Sequence, residues 1–568
     1  MTSLDPQLTV RPSAMQPHRL TRGTLTAACV AVCVAQVALA IPAVLNGLFQ
    51  QDLGTTATQL TWISDAFLVP VALLELTFGV LGDLFGRKRL LVGGTVLLVV
   101  GQLIGFLTPG SGASTETRVF VLFTGQIIAG LGAAAIFPTT LAMVAAGTHT
   151  ARDRSRAISI WAAALASGGF VSPVLGGWLA RYHFGSDPYA SWRWAFLAVM
   201  VLALIATAVS LVAKTSSSPA GRSLDWPGQI TIALAVFALL YATIQAATSG
   251  WTAPSVVAGF VLSVVFLGLF ILAERRSPAP LLRLDLFANR AFLVASIATV
   301  IGMFAYLGTA YTTSIRLSAI QGFTPLRTSI AFVLLNVMTL LMVPFTARVL
   351  ERYNPRWTLG VGFALVGVGD FWLATVPVSN LSVTPVVVPL IVVGIGFALS
   401  LSSITSVTVN TVPHHLAGMA SGSTSLLRDF GFTLGPAVIG AIALSQAAAG
   451  ISAKVAANPA LATALAAFNA APAHAPAEQK AALEAAVGAV NSGPLGANAV
   501  PGSIVVDGRA VPFNPLKDVA FQALGTAYAR GYVICGVAAL VAALLAAAVL
   551  RGNTHDSMIS SDSLRESP

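Results

Sequence analysis

The sequence predicts an all-α integral membrane protein whose chain crosses the bilayer fourteen times. The first observation is composition: 56% of the 568 residues are hydrophobic and 9% are charged, and the mean hydropathy is +0.82, whereas water-soluble domains carry about 25% charged residues. The second is that apolar segments recur along the chain, each near the roughly 20 residues that a spanning helix requires. The third is that cations gather in the short connections between those segments.

The apolar segments give the approximate bounds of the predicted spans. These are 24–49, 60–81, 90–108, 119–146, 157–180, 195–213, 229–246, 256–273, 292–313, 325–346, 358–377, 385–409, 418–446 and 526–550. The first could be a cleavable signal peptide, but its polar leader is long and its apolar run continues past Ala40 to Phe49. We therefore predict a retained first helix.

Loop cations predict the orientation. An even number of spans places both termini on one side, and the short loops on that side carry basic clusters. The clusters lie at 87–89, 152–156, 275–276 and 348–356. Since cations in short loops mark the cytoplasmic side, we predict a multi-pass protein of the cytoplasmic (inner) membrane with both termini inside. The net charge of +10 is spread over these loops, which argues against nucleic acid as a partner.

A glycine-rich, charged turn joins the second and third spans. The stretch GVLGDLFGRKRLL, 79–91, contains Gly79, Asp83, Gly86, Arg87 and Lys88. Topology alone accounts for the cations but not for the acid among glycines, which allow close approach of helices. The stretch resembles the signature loop of the major facilitator superfamily. The resemblance implies that these five residues form a conformational latch between two halves of the protein.

Other stretches resemble the fourteen-helix drug-proton antiporter branch of that superfamily, the multidrug efflux type. They are 191–196 (SWRWAF), 224–228 (LDWPG), Gly250-Trp251 and 274–292 (ERRSPAPLLRLDLFANRAF). The resemblance implies the major facilitator fold, in which two six-helix bundles are related by a pseudo-twofold axis and two extra helices lie between them.

An internal repeat supports the two halves without family knowledge. The fifth and thirteenth spans carry aligned glycine and proline patterns, and 347–357 is a degraded copy of the charged turn. Repeated halves with a site between them are typical of transporters. The glycines and prolines either relieve packing or, as the resemblance implies, form the antiporter motif, with Ser172 standing where glycine is usual. The motif residues are Gly168, Gly169, Pro173, Gly176, Gly177, Gly435 and Pro436.

The repeats and loops divide the chain into six predicted regions. These are a cytoplasmic tail (1–23), an N-terminal six-helix bundle (24–213), two linking helices with basic loops (214–291), a C-terminal six-helix bundle (292–551), an extracellular insertion within it (447–525) and a second cytoplasmic tail (552–568). Within the insertion, short Ala-rich helices are predicted at 458–468 and 476–490, and an Asp-Gly hairpin at 503–513. This insertion is either a lid on the outer mouth or a mobile decoration.

Four acids lie within predicted spans, where each costs roughly 2.5–3.5 kcal/mol to insert and therefore usually has a function. Asp429 lies about eleven residues, or roughly 16 Å, into its helix, and is our first choice as proton carrier; the alternative is an ion pair with Arg428. Asp65 either couples protons or lines the mouth, and Glu75 either lies on a proton path or forms a pair beneath the latch. Asp370 either lines the substrate cavity or lies near the outer interface.

Two further positions depart from the superfamily pattern. The first span has no acid, although the family usually has an aspartate there, and Gln126 stands where the fourth helix usually has an arginine. Glutamine cannot titrate, so proton coupling would fall on Asp65, Glu75 or Asp429.

Aromatic side chains and an acid suit a lipophilic cation through apolar burial and cation–π contact. The predicted cavity residues, each of which could instead belong to ordinary helix packing, are Gln126, Trp161, Phe137, Tyr306, Tyr311, Phe430 and Asp370. A first helix without acids would also suit a neutral or amphiphilic substrate.

These observations predict a secondary transporter that exports hydrophobic, including cationic, compounds in exchange for protons by alternating access. One alternative is export of an endogenous lipid or secondary metabolite, and another is a non-transporting membrane sensor or scaffold. We expect no enzymatic activity, no cofactor and no metal; Cys29, Cys33 and Cys535 lack the spacing of a metal site. The expected partners are the small substrate, protons and the lipid bilayer, and the expected oligomeric state is a monomer.

Overall fold

The computed structural model describes residues 20–148, 151–185, 187–214, 224–278, 280–410, 417–470, 477–506 and 509–549. Within them, fourteen helices are long and apolar enough to cross a membrane. This number and the all-α class confirm the prediction from the apolar segments. The predicted tails, 1–23 and 552–568, lie almost wholly outside the described residues.

The N-terminal half contains seven α-helices, of which the first two form one span. They are α1 (Arg22–Ala40), α2 (Pro42–Leu53), α3 (Ala57–Phe85), α4 (Arg87–Phe106), α5 (Thr115–Ala146), α6 (Ala151–Leu179) and α7 (Trp192–Ser210). Ile41, between α1 and α2, keeps helical backbone angles, and Pro42 stands at the first position of α2, where its missing N–H is tolerated. The first span therefore runs with a single break from Arg22 to Leu53.

Two further helices precede the C-terminal half. They are α8 (Trp226–Ser249) and α9 (Pro254–Arg276), and they are followed by α10 (Arg290–Ser314), a π-helix (Ile315–Ile320), α11 (Pro325–Arg352), α12 (Pro355–Thr375), α13 (Thr384–Asn410) and α14 (Ala417–Ala457). A π-helix inside a helical span often marks a functional site.

A compact insertion separates α14 from the last span. It contains α15 (Pro459–Ala470), α16 (Ala477–Asn491), α17 (Pro494–Ala499), β1 (Ser503–Val506) and β2 (Arg509–Pro512), and it is followed by α18 (Lys517–Val549). The strands pair antiparallel, with Ser503 opposite Pro512. The connection is shorter than the predicted 447–525, because the Ala-rich ends of α14 and α18 continue as helix beyond the strongly apolar residues. The predicted Asp-Gly turn at 507–508 lies outside the described residues.

The order of spans defines two faces. The insertion face carries the insertion and the ends of α2, α6 and the π-helix, and the Gly86 face carries the turn between α3 and α4. On the insertion face the two halves touch: Asn46 Nδ2 donates to Ser314 Oγ at 2.9 Å, and Ser314 Oγ donates to the carbonyl of Ala43. Asn498 of α17 adds bonds at 3.1 Å to the carbonyls of Ala319 and Ile320. The insertion is thus attached to the end of α10 through the π-helix.

The halves meet along two seams. Helix α3 packs against α14, and α6 packs against α11. Helix α8 pairs with α9 and also lies on α3 and α14, where Val236 and Leu240 pack with Val69 and Ala437. Polar contacts fix this position, because Gln229 Nε2 donates to the Leu73 carbonyl at 2.5 Å and Thr77 Oγ1 donates to Gln229 Oε1.

Candidate functional site

Glycines of α6 allow that helix to pack closely on α1 and α2. The backbone of Gly168 faces Cys33 and Gln36, so that a Cβ there would overlap both. Two turns later, a Cβ on Gly176 would come within 2.9 Å of Val44. Between them, Ser172 Oγ donates to the Val37 carbonyl at 2.9 Å. The serine at the usual glycine position therefore binds α6 to α1.

The neighbouring glycines of α6 face the other half. A Cβ on Gly169 would lie 2.6 Å from Asn336 Oδ1, and one on Gly177 would lie 2.9 Å from Leu326 and Ser329, all on α11. Pro173 lies inside α6 between these contacts. One helix thus packs closely on its own half and on the opposite half, as expected of an element at which the halves can rock.

The repeat in α14 makes a similar approach to α10. A Cβ on Gly435 would lie 2.7 Å from the Gly308 nitrogen, and one on Gly431 would lie 2.5 Å from the Val300 carbonyl. Pro436 follows inside the same helix. The sequence repeat therefore corresponds to a repeat in helix packing.

The α3–α14 seam contains an ionic cluster formed by Glu75, Arg428 and Asp429. Arg428 Nε lies 2.8 Å from Asp429 Oδ1, and Arg428 Nη2 lies 3.1 Å from Asp429 Oδ2. The same nitrogen lies 3.9 Å from Glu75 Oε2. Both acids have side chains that are 7% exposed. The ion pair that was the alternative for Asp429 is therefore present, and it extends to Glu75 on the other half.

This cluster holds two acids and one cation. With both carboxyl groups ionised it carries one negative charge in excess, and Glu75 Oε2 has no hydrogen-bond donor. Buried like charges favour taking up a proton. The cluster can therefore be negatively charged or, with one proton bound, neutral. Its two helices, α3 and α14, belong to different halves.

Asp65 lies nearer the insertion face and is fully buried. Neither of its carboxyl oxygens has a hydrogen-bond partner. Its neighbour Tyr311 shares a hydrogen bond of 2.9 Å with Thr61, and Tyr528 of α18 lies beside Tyr311. A lone charged carboxylate in such surroundings is costly. Asp65 therefore suits a proton or a cationic ligand, and it is not a solvent-wetted mouth residue in this conformation.

The predicted aromatic residues do not gather in one pocket. Tyr306 stacks on Phe397 with ring centroids 3.5 Å apart, and Phe432 lies 6.4 Å from Tyr306. With Tyr311, these side chains place aromatic surface on α10, α13 and α14. Phe430 instead packs toward α8 with Trp62.

The other predicted cavity residues lie inside the two halves. Trp161 donates to Thr140 Oγ1 at 3.0 Å, and Phe137 is buried on the same helix as Thr140. Gln126 is fully buried with neither amide atom bonded. Asp370 is also fully buried, among α10, α12 and α18.

The five latch residues pack at the Gly86 face. Asp83 accepts two hydrogen bonds from Arg87, at 3.0 and 2.7 Å, and Arg87 reaches the Ala142 carbonyl at 3.3 Å. Lys88 donates to the Leu211 carbonyl at 2.6 Å. Gly86 has φ +101°, which favours glycine, and Gly79 approaches Pro138. These described contacts lie within the N-terminal half, and the latch between halves stays a prediction.

Sequence reasoning missed several residues of these sites. Tyr528, Gln229, Asn336 and Phe397 contribute contacts across distant segments. The one available signal was a polar or aromatic side chain within an otherwise Ala-, Val- or Leu-rich span. No group of three or more His, Cys, Asp or Glu that could hold a metal occurs among the described residues.

The fold and these sites define a class of protein. Two repeated halves, closely packed glycines at their seams and buried acids between them are the features of a secondary transporter. The matching family model is that of the Major Facilitator Superfamily, over residues 26–436. The chain belongs to this superfamily.

The relatives of this chain include resistance proteins. The multidrug resistance protein Stp of Mycobacterium tuberculosis is 30% identical over 393 residues, covering 69% of this chain and 70% of the relative. The tetracenomycin C resistance and export protein of Streptomyces glaucescens is 27% identical, covering 74% and 76%. The puromycin resistance protein pur8 of Streptomyces alboniger is 28% identical, covering 73% and 79%.

Solved structures share the fold. A bacterial homologue of the human peptide transporters PepT1 and PepT2 superposes with a TM-score of 0.57 at 16% identity, covering 93% of this chain and 98% of that one. At this identity the likeness concerns the fold alone.

Proposed function

We propose that this protein exports hydrophobic, including cationic, compounds in exchange for protons by alternating access. It acts as a monomer in the cytoplasmic membrane, with both termini and the Gly86 face inside the cell. The observation that carries the proposal is the ionic cluster of Glu75, Arg428 and Asp429 in the seam between the halves. The names of the relatives, which include multidrug resistance and antibiotic export, support the substrate class.

The ionic cluster supplies the coupling step. When both acids are ionised, Glu75 on α3 is attracted by Arg428 and repelled by Asp429, which both lie on α14. A proton on Glu75 or Asp429 removes the repulsion between the two carboxyl groups, and buried like charges favour taking up that proton. Protonation therefore stabilises this seam, and loss of the proton weakens the contact between the halves.

Asp65 supplies a second point of exchange, next to the substrate. A lipophilic cation that reaches Tyr311 and Tyr528 gains aromatic contact, and the proton on Asp65 becomes replaceable by the positive charge of the substrate. The buried, unpaired carboxyl group supports this competition between proton and cation.

The test measures efflux of lipophilic cationic dyes from energised cells that lack their own pumps. At matched expression we compare the wild type with Asp429→Asn and with Asp285→Asn, whose side chain is 81% exposed. We expect export by the wild type and by the Asp285 variant, inhibition by a protonophore, and loss of at least tenfold in rate for the Asp429 variant. Undiminished, protonophore-sensitive export by Asp429→Asn would disprove the role of the cluster.

A second candidate is export of a neutral secondary metabolite, favoured by the lack of an acid over residues 24–49 of the first span and by the relative named for tetracenomycin C. Proteoliposomes loaded with neutral polyaromatic compounds distinguish the two. If the substrate is a neutral metabolite, Asp65→Asn leaves the export rate of neutral compounds unchanged, and the wild type exports no cationic dye.

A further inference from the structure

Asp370 lies apart from the ionic cluster and from Asp65, inside the C-terminal half. Its helix, α12, packs closely on two neighbours at this level. A Cβ on Gly369 would lie 2.9 Å from the Pro389 carbonyl on α13, and one on Gly536 of α18 would lie 3.3 Å from Asp370 Cβ. Asp370 is 0% exposed as a result.

If the carboxyl group of Asp370 is ionised, only one of the two short contacts of the Thr309 hydroxyl can hold a hydrogen. Thr309 Oγ1 lies 2.6 Å from Asp370 Oδ1 and 2.9 Å from the Ala305 carbonyl. A threonine hydroxyl has one hydrogen and can donate it fully to one of these two acceptors. A proton on Asp370 Oδ1 satisfies both contacts: the carboxyl group donates to Thr309, and Thr309 donates to Ala305.

No described cation compensates a charge at this position. Arg316 of the adjoining π-helix directs its guanidinium to the carbonyls of Leu373, Val376 and Pro377 at 3.2, 2.6 and 3.0 Å. The remaining titratable neighbours are Tyr532, bonded to Thr313 at 3.0 Å, and the thiol of Cys535, both on α18. Neither carries a positive charge.

The second carboxyl oxygen independently indicates that Asp370 is protonated. Asp370 Oδ2 has no hydrogen-bond donor and no solvent contact. An unpartnered carbonyl oxygen of a neutral acid is tolerated far more easily than an unpartnered buried charge.

From this geometry we infer that Asp370 is a proton-binding site, filled in this conformation, within the C-terminal half and separate from the acids at the seams. Thr309 belongs to α10, whose π-helix end contacts the N-terminal half at Ser314. A movement of α10 relative to α12 that opens the insertion face would separate Thr309 from Asp370 and admit water. The site therefore releases or exchanges its proton with that face when the halves part there.

The test of this inference does not depend on export, because infrared difference spectroscopy detects a protonated carboxyl group directly. Purified full-length protein is prepared with ¹³C-labelled aspartate, and its protonated-carboxyl C=O band is compared at neutral pH with that of Asp370→Asn. Asparagine retains a donor for Thr309 and preserves packing. We expect loss of one isotope-shifted band in this variant, and retention of that band in Asp429→Asn.

A second pair of variants guards against misfolding of Asp370→Asn. Thr309→Val removes the hydroxyl at constant size, and Thr309→Ser keeps it. We expect valine to shift the band toward the frequency of a carboxyl group without a hydrogen bond, and serine to leave it in place. Identical carboxyl bands in wild type, Asp370→Asn and Thr309→Val would overturn the inference. Failure of efflux in cells would leave it standing and would bear on the proposed export alone.

Discussion

Removing the cation of the ionic cluster leaves two buried acids without compensation. In Arg428→Gln, Glu75 and Asp429 keep their side chains at 7% exposure but lose the guanidinium 3.9 and 2.8 Å away. Breaking a buried ion pair by removing one partner costs about 3–5 kcal/mol. Since the Arg428 side chain is itself 24% exposed, we expect a loss near the lower end, about 3 kcal/mol.

The assay is equilibrium unfolding of the purified protein in detergent at neutral pH, followed by tryptophan fluorescence. The matched control combines Glu75→Gln, Arg428→Gln and Asp429→Asn, which removes all three charges and keeps similar volumes. We expect the triple variant to regain most of the lost free energy of unfolding, although it does not transport. If the triple variant is as unstable as Arg428→Gln alone, the loss reflects packing of the arginine and the electrostatic reasoning fails.

Three further predictions concern other sites. Asp65→Asn should lower the initial export rate of cationic substrates at least tenfold and that of neutral substrates by less than twofold, with the exposed Asp285→Asn as control. An equal loss for both substrate classes contradicts cation recognition by Asp65. Gly435→Ala should lower the free energy of unfolding by about 1–3 kcal/mol through overpacking against α10. The control Gly268→Ala, with no atom near its added Cβ, should be neutral or stabilising. Equal thermal stability of the two variants argues against close packing at Gly435. Asn498→Ala should free the insertion from the π-helix and increase protease cleavage within it severalfold; unchanged cleavage indicates that the contact contributes nothing.

The spans were predictable because each is a local property of the chain. Length and hydropathy of 18–25 residues are enough to identify a spanning helix, and the glycine repeat of α6 and α14 is visible at a constant offset. Their ends were harder to place. Helix α14 continues to Ala457 and α18 begins at Lys517, because alanine favours helix without being strongly apolar.

The sites were predictable only in part. Asp65, Glu75 and Asp429 stand out because acids are rare in spans, but their partners depend on which helices meet. The contact of Glu75 with Arg428 joins positions in different halves, and no local pattern indicates it. Tyr528 likewise reaches Tyr311 from the last span. No local pattern indicates that Gln229 binds Leu73 and Thr77, on either side of Glu75 in α3.

Because Gln229 fixes α8 on α3, the two seams differ in their exposure to lipid. Helix α8 covers the outer side of the α3–α14 seam, so acyl chains are kept away from the ionic cluster. Among the described residues, no extra helix covers the α6–α11 seam, which is lined by glycines. A hydrophobic compound dissolved in the membrane therefore meets one shielded side and one bare side.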